Sequence, residues 1–311
     1  FGGAYQEDIG DLVNIAPQDI KSIEVLKDAA SSAVWGSKGA DGVLLIETFR
    51  GNKGKTRFDY QGKYTLNVQP PPVPMLNGDE YIMLQLEEHH NAYGAYTVPP
   101  EIAYDPDFDD FHNYSANTDW IDAITQNGFI NDQYFKVSGG GGKTRYFTSL
   151  NYQSNSGNTL NTPFKRISTR INLDNDIYDK MKFSVIFSYT NSLKEGNYTL
   201  RGNLGLIDSE EESSSSNSNN RKINVREMAY VKAPNMSIYE YDQFGNLTGD
   251  FFTPSESYQG IGTSYFNPVA ITSLSSNDVA QNTILNSYLL NYNIFKWLRF
   301  RETISFQYLN E

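Results

Sequence analysis

The chain has 311 residues, enough for two ordinary domains or one large β structure; hydrophobic residues make up 39%, charged residues 20%, and 22 Tyr with 18 Phe raise the aromatic share to 14%. A net charge of −12 argues against a nucleic-acid-binding or anionic-membrane surface role, since either would want a basic face. With no Cys there is no thiol chemistry, thiolate metal site or disulfide, and no stretch reaches the roughly 18 apolar residues of a spanning helix, so passage through a membrane would have to use strands.

Residue 1 is Phe, without an initiator Met, a basic n-region or an apolar h-region, and the chain reads as a segment of a longer protein. Residues 1–54 are expected to form a small α/β unit. "DIKSIEVLKDAASSAVWG" predicts a strand over Ile20–Leu26 and then a helical turn capped by Asp28, whose carboxylate would accept from otherwise orphaned amides. "GVLLIETF" predicts the next strand. Between them lie Gly36, Gly39 and Gly42. A phosphate loop runs from strand to glycines to a helix N-terminus, whereas here the order is helix-like turn, glycines, strand. The spacing also fits neither G-x-G-x-x-G nor G-x-x-x-x-G-K-[ST]. These glycines are expected instead to supply positive φ and close backbone approach where the chain turns into the strand.

From residue 55 the sequence alternates with a period of two, which sends successive side chains to opposite faces. In "RFDYQGKYTLNV", Phe58, Tyr60, Tyr64, Leu66 and Val68 share one face, and Arg57, Asp59, Gln61, Lys63 and Asn67 share the other. The pattern recurs in "DQYFKVSG", where it is weakest, and in "TRYFTSLNYQ", "KRISTRINLD", "KFSVIFSYT", "TILNSYLLNYNI" and "LRFRETISFQY". Seven strands of roughly ten residues with a charged polar face match tilted membrane-spanning strands better than a soluble sandwich, whose strands are usually shorter. The connections alternate long and short. Residues 70–130 and 192–281 are long, whereas "GGGGK", "NDIYDK" and "NIFKW" are tight, the asymmetry of an outer-membrane barrel.

The first long connection predicts a helix over "NGDEYIMLQLEEHHNAYG", with Asn77 or Asp79 near its N-cap and Gly94 at its end. The second contains "DSEEESSSSNSNNRK", too polar to bury a core, and "IYEYDQFGNLTGDFF", a hairpin turned at Gly245-Asn246. Chemistry-bearing constellations are weak. Of His89, His90 and His112, only His90 shares a helix face with Glu87, and a solvated loop helix accounts for the pair. Asp105, Asp107, Asp109 and Asp110 begin like a calcium loop, yet Ala116 stands where its closing glutamate belongs. There is no G-x-S-x-G nucleophile elbow, and no catalytic spacing marks an enzyme or a cofactor site. Among aromatics, those on strands are expected to face lipid, leaving loop residues such as Trp120, Tyr258 and Tyr265 to stack on a ligand.

One long stretch is more specific. Ser22 through Asp28, including Glu24 and Lys27, then Trp35-Gly36-Ser37, Gly39-Ala40-Asp41-Gly42-Val43 and Arg50-Gly51 resemble the segment that closes the plug domain of the SusC/RagA family of TonB-dependent outer-membrane transporters of Bacteroidota. "NTDWIDAI", "VSGGGGKTRYFTSLNYQSNSG", "FKRISTRINLD" and "NPVAI" resemble that family's early barrel segments in the same order. Trp35 stands where the family usually has Tyr, and Phe49-Arg50 where it often has two basic residues.

The resemblance implies a membrane all-β fold: a large antiparallel outer-membrane β-barrel of about twenty-two strands with a small α/β plug inside. Residues 1–54 would be the C-terminal part of the plug and 55–311 the first seven or so strands, with 70–130 and 192–281 as extracellular loops. It further implies a SusD-like lipoprotein lid, TonB acting through a box upstream of residue 1, import of an oligosaccharide or peptide, a surrounding lipid bilayer, and a dimer of SusC-SusD pairs. Seven strands alone would leave unpaired edges in lipid. Two alternatives stand beside this reading: an outer-membrane binding or scaffold protein that reuses the architecture without transport, and a soluble glycan-active β-sandwich.

Overall fold

The structure, a computed structural model, describes residues 15–28, 36, 39, 42–94, 98–197, 200–201, 222–254 and 266–311. The turn expected after Asp28, Trp35, the Ser/Asn-rich tract, Tyr258 and Tyr265 lie outside them. Strands β1 (Ile20–Leu26) and β2 (Val43–Thr48) pair antiparallel, with Ile23 opposite Ile46 and Leu26 opposite Val43.

The seven expected alternating strands form one antiparallel sheet. They are β3 (Gly54–Asn67), β4 (Gly128–Gly140), β5 (Thr144–Asn155), β6 (Phe164–Tyr178), β7 (Met181–Lys194), β12 (Val279–Phe295) and β13 (Leu298–Asn310). In this meander each strand pairs with its predecessor in the set, so β12 follows β7 directly. The strands run to between 12 and 17 residues, longer than expected, because pairing continues past the apolar band into polar rims. Β-strand parity survives that extension, and both faces keep the composition read from the sequence.

The burial of the two faces is inverted relative to a soluble sheet. On β6 the polar residues Arg166, Ser168, Arg170, Asn172 and Asp174 are buried, while Ile167, Ile171 and Leu173 are 45%, 42% and 39% exposed. Water would drive the opposite arrangement, since exposed apolar area costs about 25 cal/mol per Å² and buried polar groups need partners. This is the wall of an antiparallel barrel, polar inside and apolar outside. No helix among the described residues is long and apolar enough to cross a membrane.

The long connections carry helices α1 (Gly78–Tyr93), α2 (Pro100–Ala103), α3 (Phe111–Tyr114), α4 (Trp120–Ile124), α5 (Val225–Val231) and α6 (Pro268–Leu274), the two-residue pair β8 (Leu200–Arg201) and β9 (Lys222–Ile223), and the hairpin β10 (Tyr239–Tyr241) and β11 (Leu247–Phe251). Asn77, not Asp79, caps α1: its side chain accepts from Glu80 N while Glu80 accepts from Asn77 N, the reciprocal capping box. In the β10–β11 turn, Asp242 accepts from the amides of Phe244 and Asn246, and these donors hold its carboxyl below the usual range.

The two long connections share a single core. Tyr114, Trp120 and Ile124 from the first pack with Val225, Met236, Phe252 and Val269 from the second. Buried asparagines join them through backbone groups, as Asn113 accepts from Tyr241 N at 2.8 Å and donates to Tyr241 O at 2.9 Å. Arg226 ties this cap to the wall by donating to Thr159 Oγ1 at 2.9 Å and Gln69 Oε1 at 3.0 Å.

Candidate functional site

The polar inner face becomes a site where the β1–β2 pair docks on it. A 3-10 turn, Pro17–Asp19, precedes β1 and delivers Asp19, only 4% exposed, to the wall. Tyr134 of β4 donates its hydroxyl to Asp19 Oδ1 at 2.7 Å, and Ser149 of β5 donates to Oδ2 at 2.8 Å. Buried Arg170 of β6 supplies the nearby positive charge. Register explains the convergence: Tyr134 opposes Asn151, and Ser149 opposes Arg170, so the three side chains share one face on adjacent strands.

Around this centre lies a polar seam. Gln18 donates to Asp132 Oδ2 at 2.7 Å, Asn151 donates to Asp132 Oδ1 at 2.6 Å, and Arg166 reaches Asn151 Oδ1 at 3.4 Å. At this same end of the strand pair, Phe49 N donates to Asp19 O, closing β2 against the 3-10 turn. Phe49 O then accepts from Asn172 at 2.6 Å, and its ring stacks on Phe147 with centroids 6.4 Å apart. Arg50 pairs with buried Asp174 at 3.3 Å, where Lys182 and Ser184 also converge.

Next, Gly51 crosses the wall so closely that an added Cβ would lie 2.4 Å from both the N and the O of Tyr146. No side chain fits there without moving a central strand of the sheet. This arrangement can hold a small unit against a barrel wall through desolvated charges and hydrogen bonds, a joint that breaks abruptly once water enters.

The residues singled out from the sequence divide into groups. Arg50 and Gly51 belong to this joint. Ser22 instead lies on the outer side of the pair, donating to Glu47 Oε2 at 3.2 Å, and Lys21 with Ser22 holds the Glu47 carboxyl below its ordinary range. Glu24, Lys27 and Asp28 are exposed. Gly39 is buried and accepts from Gly42 N at 3.1 Å; Gly36 and Gly42 have φ of +64° and +101°, as expected of a glycine turn leading into a strand. No motif marks Asp19, Tyr134, Ser149 or Arg170 in the sequence. Asp19 was visible only as the acid before "IKSIEV", and the arginines only as members of a polar face.

One loop residue departs from its expected place. Trp120, a candidate for ligand stacking, is 3% exposed and donates its indole N–H to Ala233 O at 2.9 Å, because it anchors the cap core. Glu87 and His90 are exposed, while His89 is buried and lies against Tyr93 with ring centroids 5.1 Å apart. Among the described residues no three His, Asp or Glu side chains converge on a metal position.

Lys232 is buried at the end of α5 over the Trp120 ring. Burial lowers its ammonium from 10.5 to about 7. Between these values the closed cap binds fewer protons than an opened one, so its stability rises with pH through that window and is flat below it. We expect protease resistance of the cap to increase from pH 7 to pH 10. Lys232→Met should remove that rise. A rise that persists in the variant would assign it to another group.

No protein-family model matches the chain. It is 28% identical over 292 residues to TonB-dependent receptor P3 of Formosa agariphila, covering 94% of this chain and 25% of the relative. It is 25% identical over 281 residues to TonB-dependent receptor SusC of Bacteroides thetaiotaomicron, covering 89% and 25%. The chain thus spans about a quarter of the length of these relatives. Its fold is similar to chains of the RagAB peptide importer in the closed-closed state, with a TM-score of 0.65 at 19% identity, and in the open-open state, with 0.67 at 18%. Both comparisons cover 96% of this chain and 33% of the other.

Proposed function

We propose that this relative of the SusC-type TonB-dependent receptors is one arc of an outer-membrane importer in the envelope of a Gram-negative, Bacteroidota-like cell. Residues 1–54 are the closing part of the plug, and 55–311 are the first seven or so strands of the barrel with two extracellular loops. The observation that carries this reading is the joint around Asp19, in which a strand pair is fastened to the polar face of an otherwise inverted sheet by buried charges.

A pull on the plug from the periplasmic side loads this joint, and water entering it replaces each lost hydrogen bond. The plug can therefore be released without unfolding the wall. Within the plug, Gly36, Gly39 and Gly42 shape the turn into β2, and Ser22, Glu24, Lys27 and Asp28 lie on the strand pair and its exit. Arg50 and Gly51 mark its attachment to the wall. The cargo is an oligosaccharide or peptide, admitted beneath a SusD-like lipoprotein that rests on the cap formed by 70–130 and 192–281. Two such pairs associate as a dimer. The chain's role is passage and gating, and none of its residues is assigned a covalent step.

The test is uptake of labelled oligosaccharide and peptide pools by cells carrying the full-length protein. Uptake should disappear both on deletion of its gene and on collapse of the proton gradient. Surface binding that survives with no uptake in any condition would make it a scaffold and overturn the transport reading.

A further inference from the structure

We infer that the inner face of the wall, at the end of the short turns, holds a site for an oxyanion: a phosphate, sulfate or carboxylate group carried by a ligand. Between the β6–β7 turn and the β12–β13 turn lies a cavity of about 520 Å³, lined by Lys53, Lys143, Lys180, Lys182, Arg299 and Arg301. Two carboxylates share that lining, Asp176 and Asp179. Asp176 is already engaged by Arg145 through two bonds of 3.1 Å. Lys182 is likewise held by buried Asp174 at 3.9 Å, which leaves five further cations against Asp179, a local reversal of sign in a chain with net charge −12.

The arrangement follows from strand register. Lys182 of β7 opposes Asn291 of β12, and Asn291 opposes Arg301 of β13, so the three form one row across the inner face. One rung nearer the turn, Asn293 opposes Arg299, and Asn293 N donates to Lys180 O. On both rungs a neutral asparagine stands where a carboxylate would have neutralised the arginine. The acid that is available, Glu302, opposes Leu290 and falls on the other face by strand parity.

Each arginine is also aimed. Arg299 Nε donates to Asn293 Oδ1 at 2.9 Å, and Arg301 Nε donates to Asn291 Oδ1 at 2.9 Å. A guanidinium fixed through Nε keeps its terminal nitrogens as a fork, the geometry that accepts two oxygens of one oxyanion. A merely solvated basic rim would need neither the cross-strand anchors nor the exclusion of acids, and would place like charges side by side for nothing. The cavity has room for an anionic group with several waters, each occupying about 30 Å³. The placement of this end toward the periplasm rests on the import reading; the anion site itself does not.

Two sources could supply the oxyanion, a soluble ligand passing through the lumen or a phospholipid headgroup at the rim, and the test separates them. The full-length protein in neutral detergent is titrated with inorganic phosphate by calorimetry. In parallel, protection of the β12–β13 turn from hydrogen exchange is compared in nanodiscs of phosphatidylcholine with and without phosphatidylglycerol. Saturable phosphate binding identifies the soluble source and phosphatidylglycerol-dependent protection the lipid source, and either supports the site.

The double variant Arg299→Gln/Arg301→Gln should weaken binding at least tenfold. Asn291→Ala/Asn293→Ala, which leaves the charges but frees the guanidiniums, should weaken it several-fold. Glu302→Gln, on the opposite face of the same strand, should leave it unchanged and reports whether β13 tolerates substitution. Absence of a response to both probes in the wild type overturns the proposal, as does equal binding by the double arginine variant. Because the readout is binding, a protein that binds phosphate but fails to import still supports the site, while one that imports without binding refutes it.

Discussion

Asp19→Ala in the full-length protein is expected to weaken docking of the β1–β2 pair by about 3–5 kcal/mol, the cost of removing one member of a buried charged group and leaving the others in place. Tyr134 and Ser149 lose their shared acceptor, and the charge of Arg170 is left buried beside them. Hydrogen exchange should report this directly, with loss of protection in the paired segments Ile23–Leu26 and Val43–Ile46 while β6 and β7 keep theirs. The control is Ser22→Ala. That residue belongs to the most recognisable stretch of the sequence, yet its hydroxyl makes an exposed 3.2 Å bond to Glu47, so its loss should cost less than about 0.5 kcal/mol. Equal protection in Asp19→Ala and wild type would show that the strand pair is held by something other than this joint. A double-mutant cycle with Tyr134→Phe then measures the coupling, which should exceed about 0.5 kcal/mol for groups in direct contact.

The second large effect is expected at Gly51. In Gly51→Val the new Cβ would sit 2.4 Å from two backbone atoms of Tyr146, far inside van der Waals contact, and β5 is held by pairing on both sides. The strand cannot retreat, so the crossing segment must. Its displacement carries Arg50 away from Asp174 and Phe49 from Phe147, giving a cost at or above the upper end of the about 1–3 kcal/mol usual for overpacking. Exchange protection of β2 should fall. The full-length protein reconstituted in planar bilayers should conduct ions that the wild type blocks. Gly51→Ala should show the same change to a smaller degree, and wild-type protection in both variants would mean that the close crossing does not exist.

These two predictions fall on residues that the sequence distinguishes unequally. Gly51 lies in the Arg50-Gly51 pair and was singled out, although what its missing side chain makes room for could not be seen. Asp19 was read only as the acid ahead of a strand. Its partners lie 115 and 130 residues away on two other strands, and no local pattern reports which inward positions of a wall meet an incoming carboxylate. Trp120 shows the converse error. A tryptophan in a loop suggests availability to a ligand, whereas a second loop more than 100 residues later supplies Ala233 O for its N–H.

The sequence by itself determined the seven strands, their two faces and the contrast of long and short connections, because a period of two is a property of each strand alone and a tight turn needs only a few residues. It also determined that the apolar face is the outer one, since the charged residues of "KRISTRINLD" cannot all face a dry core. Tertiary structure alone decided which polar residues meet: Asp19 with Tyr134 and Ser149, Arg50 with Asp174, one loop with another, and asparagines rather than acids beside Arg299 and Arg301. Those contacts depend on the register between strands and on where a separate unit docks, and each is set by the summed packing of the whole sheet rather than by any stretch of chain.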